Sequence, residues 1–173
     1  SNDGAPVIIV NAGAISPLVM LLSTGVSEAK KEAAGALSTL ALNNLSNQLA
    51  IATGLVALLG QGSAEAQEHV TLLMLTLASD ADNRVAVAKA GAVKRLIMQV
   101  RNATSLKAQE LAAAALSHLT GDSDGNVRTI HSEGGVESLV ELLHSESTEA
   151  QAHAAAVLSD VTRVYREVVV KEG

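Results

Sequence analysis

The stretch EAQEHVTLLMLTLA, Glu65 to Ala78, occurs four times in altered form, and this recurrence limits the fold more than any other feature of the chain. It aligns with EAKKEAAGALSTLA from Glu28, KAQELAAAALSHLT from Lys107 and EAQAHAAAVLSDVT from Glu149. Each copy has a charged start, an Ala- or Leu-rich run, and a polar position followed by Leu or Val. That polar position holds Thr39, Thr76, His118 and Asp160, at successive separations of 37, 42 and 42 residues. A period of this size means stacked helical units, each burying its apolar face only against its neighbours. Stacked units share one continuous core, so 173 residues that would otherwise suggest one or two domains are read as a single solenoid.

The composition narrows the function. Apolar residues make up 48% of the chain, yet there is no Trp or Phe and a single Tyr, Tyr165. The core must be built from Ala, Leu, Val and Ile, and the Ala-rich blocks favour helix over strand. A net charge of −6 argues against nucleic acid as principal partner, because phosphate contacts need clustered Lys and Arg. Without cysteine there is no disulfide framework, thiol nucleophile or cysteine-based zinc site. No apolar run reaches the roughly 18 residues of a membrane span; the longest candidate, Leu49 to Leu59, is broken by Gly54. Membrane insertion is therefore not expected. The sequence has no signal-peptide pattern, so the expected location is intracellular, cytoplasmic or nuclear. Ser1-Asn2 reads as an appended remnant, and the chain as a piece of a longer protein.

Turn and cap signals divide the chain into units of about 5–42, 44–79, 82–121 and 125–162, with the first helix of a further unit at 164–173. In the first unit a short helix ends at Gly13, a second runs from Ala14 to Gly25 with Pro17 in its first turn, and a third runs from Glu28 to about Leu42. The second unit lacks about five residues where its first helix should turn into its second, which predicts a merged or tightened elbow at Ala52 to Gly54. In the third and fourth units the long helices start near Ser105 and Thr148, the latter ending near Val161. YREVVVKEG, from Tyr165, aligns with NRVAVAKAG, from Asn83, as the start of a fifth unit.

NAGAISPLVMLLSTG, AGAVKRLIMQV and EGGVESLVELLHS, each followed by an ALSTLA-like helix, resemble armadillo repeats over essentially the whole chain. The resemblance implies an all-α, armadillo-type right-handed α-solenoid of three-helix units. Its third helices would line a concave groove that binds an extended peptide segment of a protein partner. Peptide-binding members commonly carry Asn at the polar position, where the amide both donates to and accepts from a peptide backbone. Here Thr39, Thr76, His118 and Asp160 stand there. Members that bind nuclear-import signals place Trp four residues earlier, where this chain has Gly35, Leu72, Ala114 and Ala156. An importin-like signal receptor is therefore not expected.

Helical spacing puts Glu28, Lys31 and Glu32, then Glu65, Glu68 and His69, then Lys107 and Glu110, then Glu149 and His153 on the same face as the polar positions. The candidate groove residues are Glu28, Lys31, Thr39, Glu65, Glu68, Thr76, Glu110, His118 and Asp160. Carboxylates outnumber lysines among them, which favours a basic or polar peptide. The plainer alternative is that these charges only cap and solubilise the helix starts.

Other patterns carry little. Asp122, Asp124, Asn126 and Glu133 have an EF-hand-like register, but Val127 occupies the glycine position that the calcium loop's turn needs, and helix capping explains the acids better. The histidines have no metal-ligand spacing, although His118 stands where protonation would reach bound peptide. GQGSAE at Gly60 lacks the third glycine of a dinucleotide loop. No nucleophile motif is present, so neither catalysis nor a cofactor is expected. The expected function is a protein-interaction scaffold; its rivals are a structural spacer without a peptide ligand and a targeting module of a larger regulatory protein. Ends cut through a repeat predict end-to-end self-association.

Overall fold

A computed structural model of the chain describes residues 9–10, 13–42 and 44–172, with side chains as far as residue 166. The helices are α1 (Ile15–Thr24), α2 (Ser27–Ala41), α3 (Leu45–Leu58), α4 (Ala64–Ser79) and α5 (Ala81–Lys89). They continue with α6 (Ala92–Asn102), α7 (Leu106–Thr120), α8 (Asp124–Ser132), α9 (Gly135–Leu142) and α10 (Thr148–Glu172). There is no strand among the described residues, and the protein is an all-α solenoid. The expected first helix of the first unit falls largely outside the described residues; Ile9 and Val10 are helical.

Local chemistry sets the helix starts. Asn44, Ser63, Ser105, Ser123 and Ser147 each offer a side-chain oxygen to the backbone N–H three residues on, at 3.0–3.3 Å. Each satisfies one of the amide groups that a helix leaves free at its first turn. Between the first and second helices of the third and fourth units the chain reverses at Gly91 and Gly134, with φ of +84° and +67°. Only glycine adopts that conformation without a Cβ clash.

The second unit has no such reversal. Helix α3 runs unbroken through Ala52 and Gly54, the place where the missing residues predicted an elbow. Gly54 lies against α1: a Cβ there would stand 3.1 Å from a Val19 methyl, so glycine here serves close helix packing.

Helix α10 departs from the expected division. The chain was expected to break after Val161, but the helix continues to Glu172. In the preceding units the polar positions Thr39, Thr76 and His118 are followed four or five residues later by the caps Asn44, Asp80 and Ser123. After Asp160 those places hold Val164 and Tyr165, which offer no side-chain acceptor to start a new helix.

The core runs along the third helices α2, α4, α7 and α10, which lie side by side. Leu37, Val70, Met74, Leu77, Leu116, Leu119, Ala150, Ala154 and Val157 are all buried in it. In α7 the whole run Ala112 to Leu116 is buried, because α4 and α10 cover opposite sides of it.

Glycine geometry yields a paired expectation. Gly91→Ala should lower unfolding stability by about 1 kcal/mol, since alanine is strained at positive φ. Gly35, in the middle of α2 with open space around its Cβ position, should accept alanine with a gain of about 0.5–1 kcal/mol. Urea denaturation of the two variants beside the parent chain reads both signs.

Candidate functional site

The expected residues of the four third helices differ in exposure. On α2, Glu28, Lys31, Glu32, Gly35 and Thr39 are exposed; on α4, Glu65, Leu72 and Thr76 are exposed and Glu68 and His69 half-buried. On α7, Lys107 is exposed, Glu110 and His118 are half-buried and Ala114 is buried. On α10, Glu149 and Ala156 are exposed, and His153 and Asp160 half-buried. The i, i+4 spacing of a helix keeps the expected residues of each third helix on one side of that helix.

At the N-terminal end of the face, several carboxylates bond between helices. The Ser147 hydroxyl donates to Glu110 Oε2 at 3.2 Å while accepting the Ala150 N–H, and Ser105 does the same between Glu68 and the Ala108 N–H. Each serine therefore caps its own helix and ties it to the preceding third helix. Glu110 is also bound by Lys107, which raises the lysine pKa chiefly through that hydrogen bond. On the first step the arrangement changes, because Lys31 stands where Glu68 stands one unit later and cannot accept. There Ser27 donates to Glu65 Oε1 at 3.2 Å, and the buried Lys30 approaches Glu65 Oε2 at 3.9 Å. The separation of 37 residues from Glu68 to Ser105 and from Glu110 to Ser147 was present in the sequence and could have revealed these ties.

Glu28, Lys31 and Glu32 are in no ion pair among the described residues. Glu149 stays in the exposed first turn of α10. Its own backbone N–H, then the Thr148 hydroxyl, hold its pKa below the ordinary carboxylate value.

At the C-terminal end the polar positions differ from one another. Thr39 and Thr76 donate to the carbonyls of Gly35 and Leu72 in their own helices, at 3.0 and 2.9 Å. Asp160 accepts from the Thr120 hydroxyl across the α7–α10 seam at 2.8 Å, and Arg163 lies 3.5 Å from its other oxygen. His153 Nδ1 is 3.4 Å from Ser117 Oγ. The His118 pKa is pushed below the ordinary value of 6.5, first by burial and then by the charges of Arg84 and His153. Ser117, Thr120 and Arg84 were not singled out from sequence, since each gains its role from a neighbouring helix.

No group of three or more metal-ligating side chains forms among the described residues, and none of their helices is long and apolar enough to cross a membrane.

These features define a helical-repeat protein whose third helices carry an open polar face. The model of the Armadillo/beta-catenin-like repeat matches residues 2–42 and 80–121. An engineered protein solved by crystallography is 32% identical, with a TM-score of 0.70 over 98% of this chain and 72% of that one. A computationally designed armadillo repeat protein for modular peptide recognition is 25% identical, with a TM-score of 0.67 over 90% of this chain and 67% of that one. A designed armadillo repeat protein in complex with the peptide (KR)4 shares the fold at 24% identity and a TM-score of 0.68, over 93% and 70% of the two chains. No curated protein matches the sequence. The chain belongs to the armadillo-repeat family. Armadillo repeats are generally protein-interaction scaffolds.

The depressed His118 pKa sets a pH dependence. The unfolded chain takes up its proton near pH 6.5, whereas the folded chain takes it up only at lower pH. Stability should therefore fall as pH drops from 6.5 through the folded-state value. Thermal unfolding of the parent and His118→Gln between pH 7.5 and 5 should show a shallower acid decline in the variant. NMR titration should place the His118 midpoint below that of an exposed histidine.

Proposed function

We propose that the third-helix face is a groove that binds an extended, basic or polar peptide segment of a protein partner, without catalysis. The observation that carries this reading is the row of Glu28, Glu65 and Glu149. They are exposed at matching places in the first turns of α2, α4 and α10, with no aromatic side chain covering them. Cationic side chains along a peptide would meet these carboxylates one helix at a time. Lys107, at the matching place on α7, interrupts the row and selects against an uninterrupted run of cations. Lys31 and the C-terminal positions Thr39, Thr76, His118 and Asp160 would line the remainder of the path. The net charge of −6 agrees with such a partner, and the designed relative made for peptide recognition supports the class of ligand.

In this reading the protein works inside the cell, in the cytoplasm or nucleus. It also self-associates end to end at high concentration, an expectation supported by exposed Met20 and Val26 at the first described helices.

A structural-spacer role is the second reading. Thr39 and Thr76 direct their hydroxyls to their own helices, and Glu68 and Glu110 are engaged by serines of the next unit. Those groups are already occupied in holding the stack together.

Fluorescence anisotropy with a panel of labelled peptides that alternate Lys or Arg with neutral residues separates the two. Under the groove reading a Glu28→Lys, Glu65→Lys, Glu149→Lys variant should bind at least about tenfold more weakly, which is about 1.4 kcal/mol, with melting shifted only slightly. Absence of binding to every peptide in the panel, with the parent chain folded, favours the spacer.

A further inference from the structure

A cleft of about 170 Å³ lies between the end of α3 and the side of α6. Its walls include Gly60 and Gln61 just beyond α3, Gln67 of α4, and Arg95, Met98 and Gln99 of α6. Side-chain amides fix the back of it. Gln99 is buried and donates to Gln67 Oε1 at 3.1 Å, and Gln67 donates in turn to the Gly62 carbonyl at 3.4 Å. Arg95 is exposed and in no ion pair among the described residues.

The sequence explains why this cation has no partner. Residues 33–64, which contain all of α3 and the loop after it, include no Asp, Glu, Lys or Arg. Along the segment of Arg95 itself the nearest acids are Asp82 and Glu110, 13 and 15 residues away. On α4, Glu65 and Glu68 are engaged elsewhere, by the hydroxyls of Ser27 and Ser105. Glu133 is taken by Lys94, 3.0 Å away, and Glu137 and Glu141 belong to α9, from which α6 separates α3.

The next cleft along the stack, between α6 and α9, is satisfied from within. Four residues after the cap Gly134 stands Ser138, where Arg95 stands four residues after Gly91. Ser138 Oγ accepts from Arg101 Nε at 3.0 Å and the Gly134 carbonyl accepts from Arg101 Nη2 at 2.7 Å, with Glu141 in the same cleft. Arg101 thus directs its donors into the chain, and α3 supplies no arginine that could do the same one unit earlier.

We propose that the α3–α6 cleft binds one carboxylate side chain of an acidic peptide segment of a protein partner, at a site separate from the third-helix groove. The cleft is smaller than the roughly 300 Å³ at which small-molecule pockets begin, so it admits a single side chain while the rest of the segment lies outside. The planar guanidinium offers paired N–H donors that a carboxylate accepts two at a time. One cation matches the single charge of a carboxylate, whereas a phosphoryl group of about −2 would keep charge unmatched. Asn102, exposed at the same cleft, adds an amide donor, and Met98, 42% exposed, offers an apolar surface to the methylenes of a glutamate. From Arg84 to Lys107 the chain has six cations and no acid, so the local field attracts an acidic segment although the net charge is −6.

Fluorescence anisotropy with a labelled peptide of alternating Glu and Ser, beside its Gln counterpart, tests this. The parent chain should bind the Glu peptide at least about tenfold more tightly than the Gln peptide. Arg95→Ala should remove that preference and Arg95→Glu should abolish binding. Arg128→Ala deletes an exposed cation on α8, outside the cleft, and should change affinity by less than about twofold. Circular dichroism and thermal melting check that each variant is folded. In NMR titrations N-acetylglutamate amide alone should shift the Arg95 Nε–Hε signal saturably, and N-acetylglutamine amide should not. Three results overturn the proposal: peptide binding that survives Arg95→Glu, an Arg95 signal that glutamate leaves unmoved, or attraction to anionic lipid vesicles without binding of the Glu peptide. Equal weakening by Arg95→Ala and Arg128→Ala also overturns it, since that result assigns the attraction to net charge.

Discussion

Close approach of the third helices is the constraint on which the structure depends. Helix α7 sits between α4 and α10, and its run of Ala112, Ala113, Ala114 and Ala115 is buried from end to end. A methyl side chain lets neighbouring axes sit near the short end of the 8–10 Å range for packed helices. A larger residue anywhere in that run would force the layers apart, as overpacking does in other cores. The leucines on either side, Leu111, Leu116 and Leu119, then fill the space between layers without any aromatic residue. This explains how a chain with one Tyr and no Phe or Trp can still close a core.

That spacing also decides which polar groups meet. Ser105 and Ser147 reach back to Glu68 and Glu110 because the helices are close and the repeat holds them in register. The same register sets surface side chains in rows, and the rows differ between faces. Carboxylates recur on the third helices, whereas the second helices divide into a basic α6 and an acidic α9. One architectural period thus produces two surfaces with different chemistry.

Much of the fold was legible in the sequence because the signals were local. The N-cap residues Ser63, Ser105 and Ser147 mark helix starts through bonds to amides three residues away. The shortened second unit was legible as well, as a deletion between aligned copies, and α3 passes through that place as one helix. The continuity of α10 was not anticipated. The repeat alignment suggested a break there, but a break also needs a capping side chain, and Val164 and Tyr165 provide none.

The candidate site was legible as a face and not as a set of partners. Periodicity alone put Glu65, Glu68, Glu110 and Asp160 on one side of their helices, because a residue's angular position follows from its place in the chain. Tertiary packing decided that Glu68 and Glu110 are held by serines of the next unit, that Asp160 accepts from Thr120, and that His118 is half-buried near Arg84 and His153. The physical reason is one of distance. The sequence by itself determined the helices, their stacking order and the exposed stripe through interactions within a few residues. The fate of Glu110, His153 and Asp160 rested on side chains 36 to 40 residues away, brought within a few ångströms only once the layers had packed.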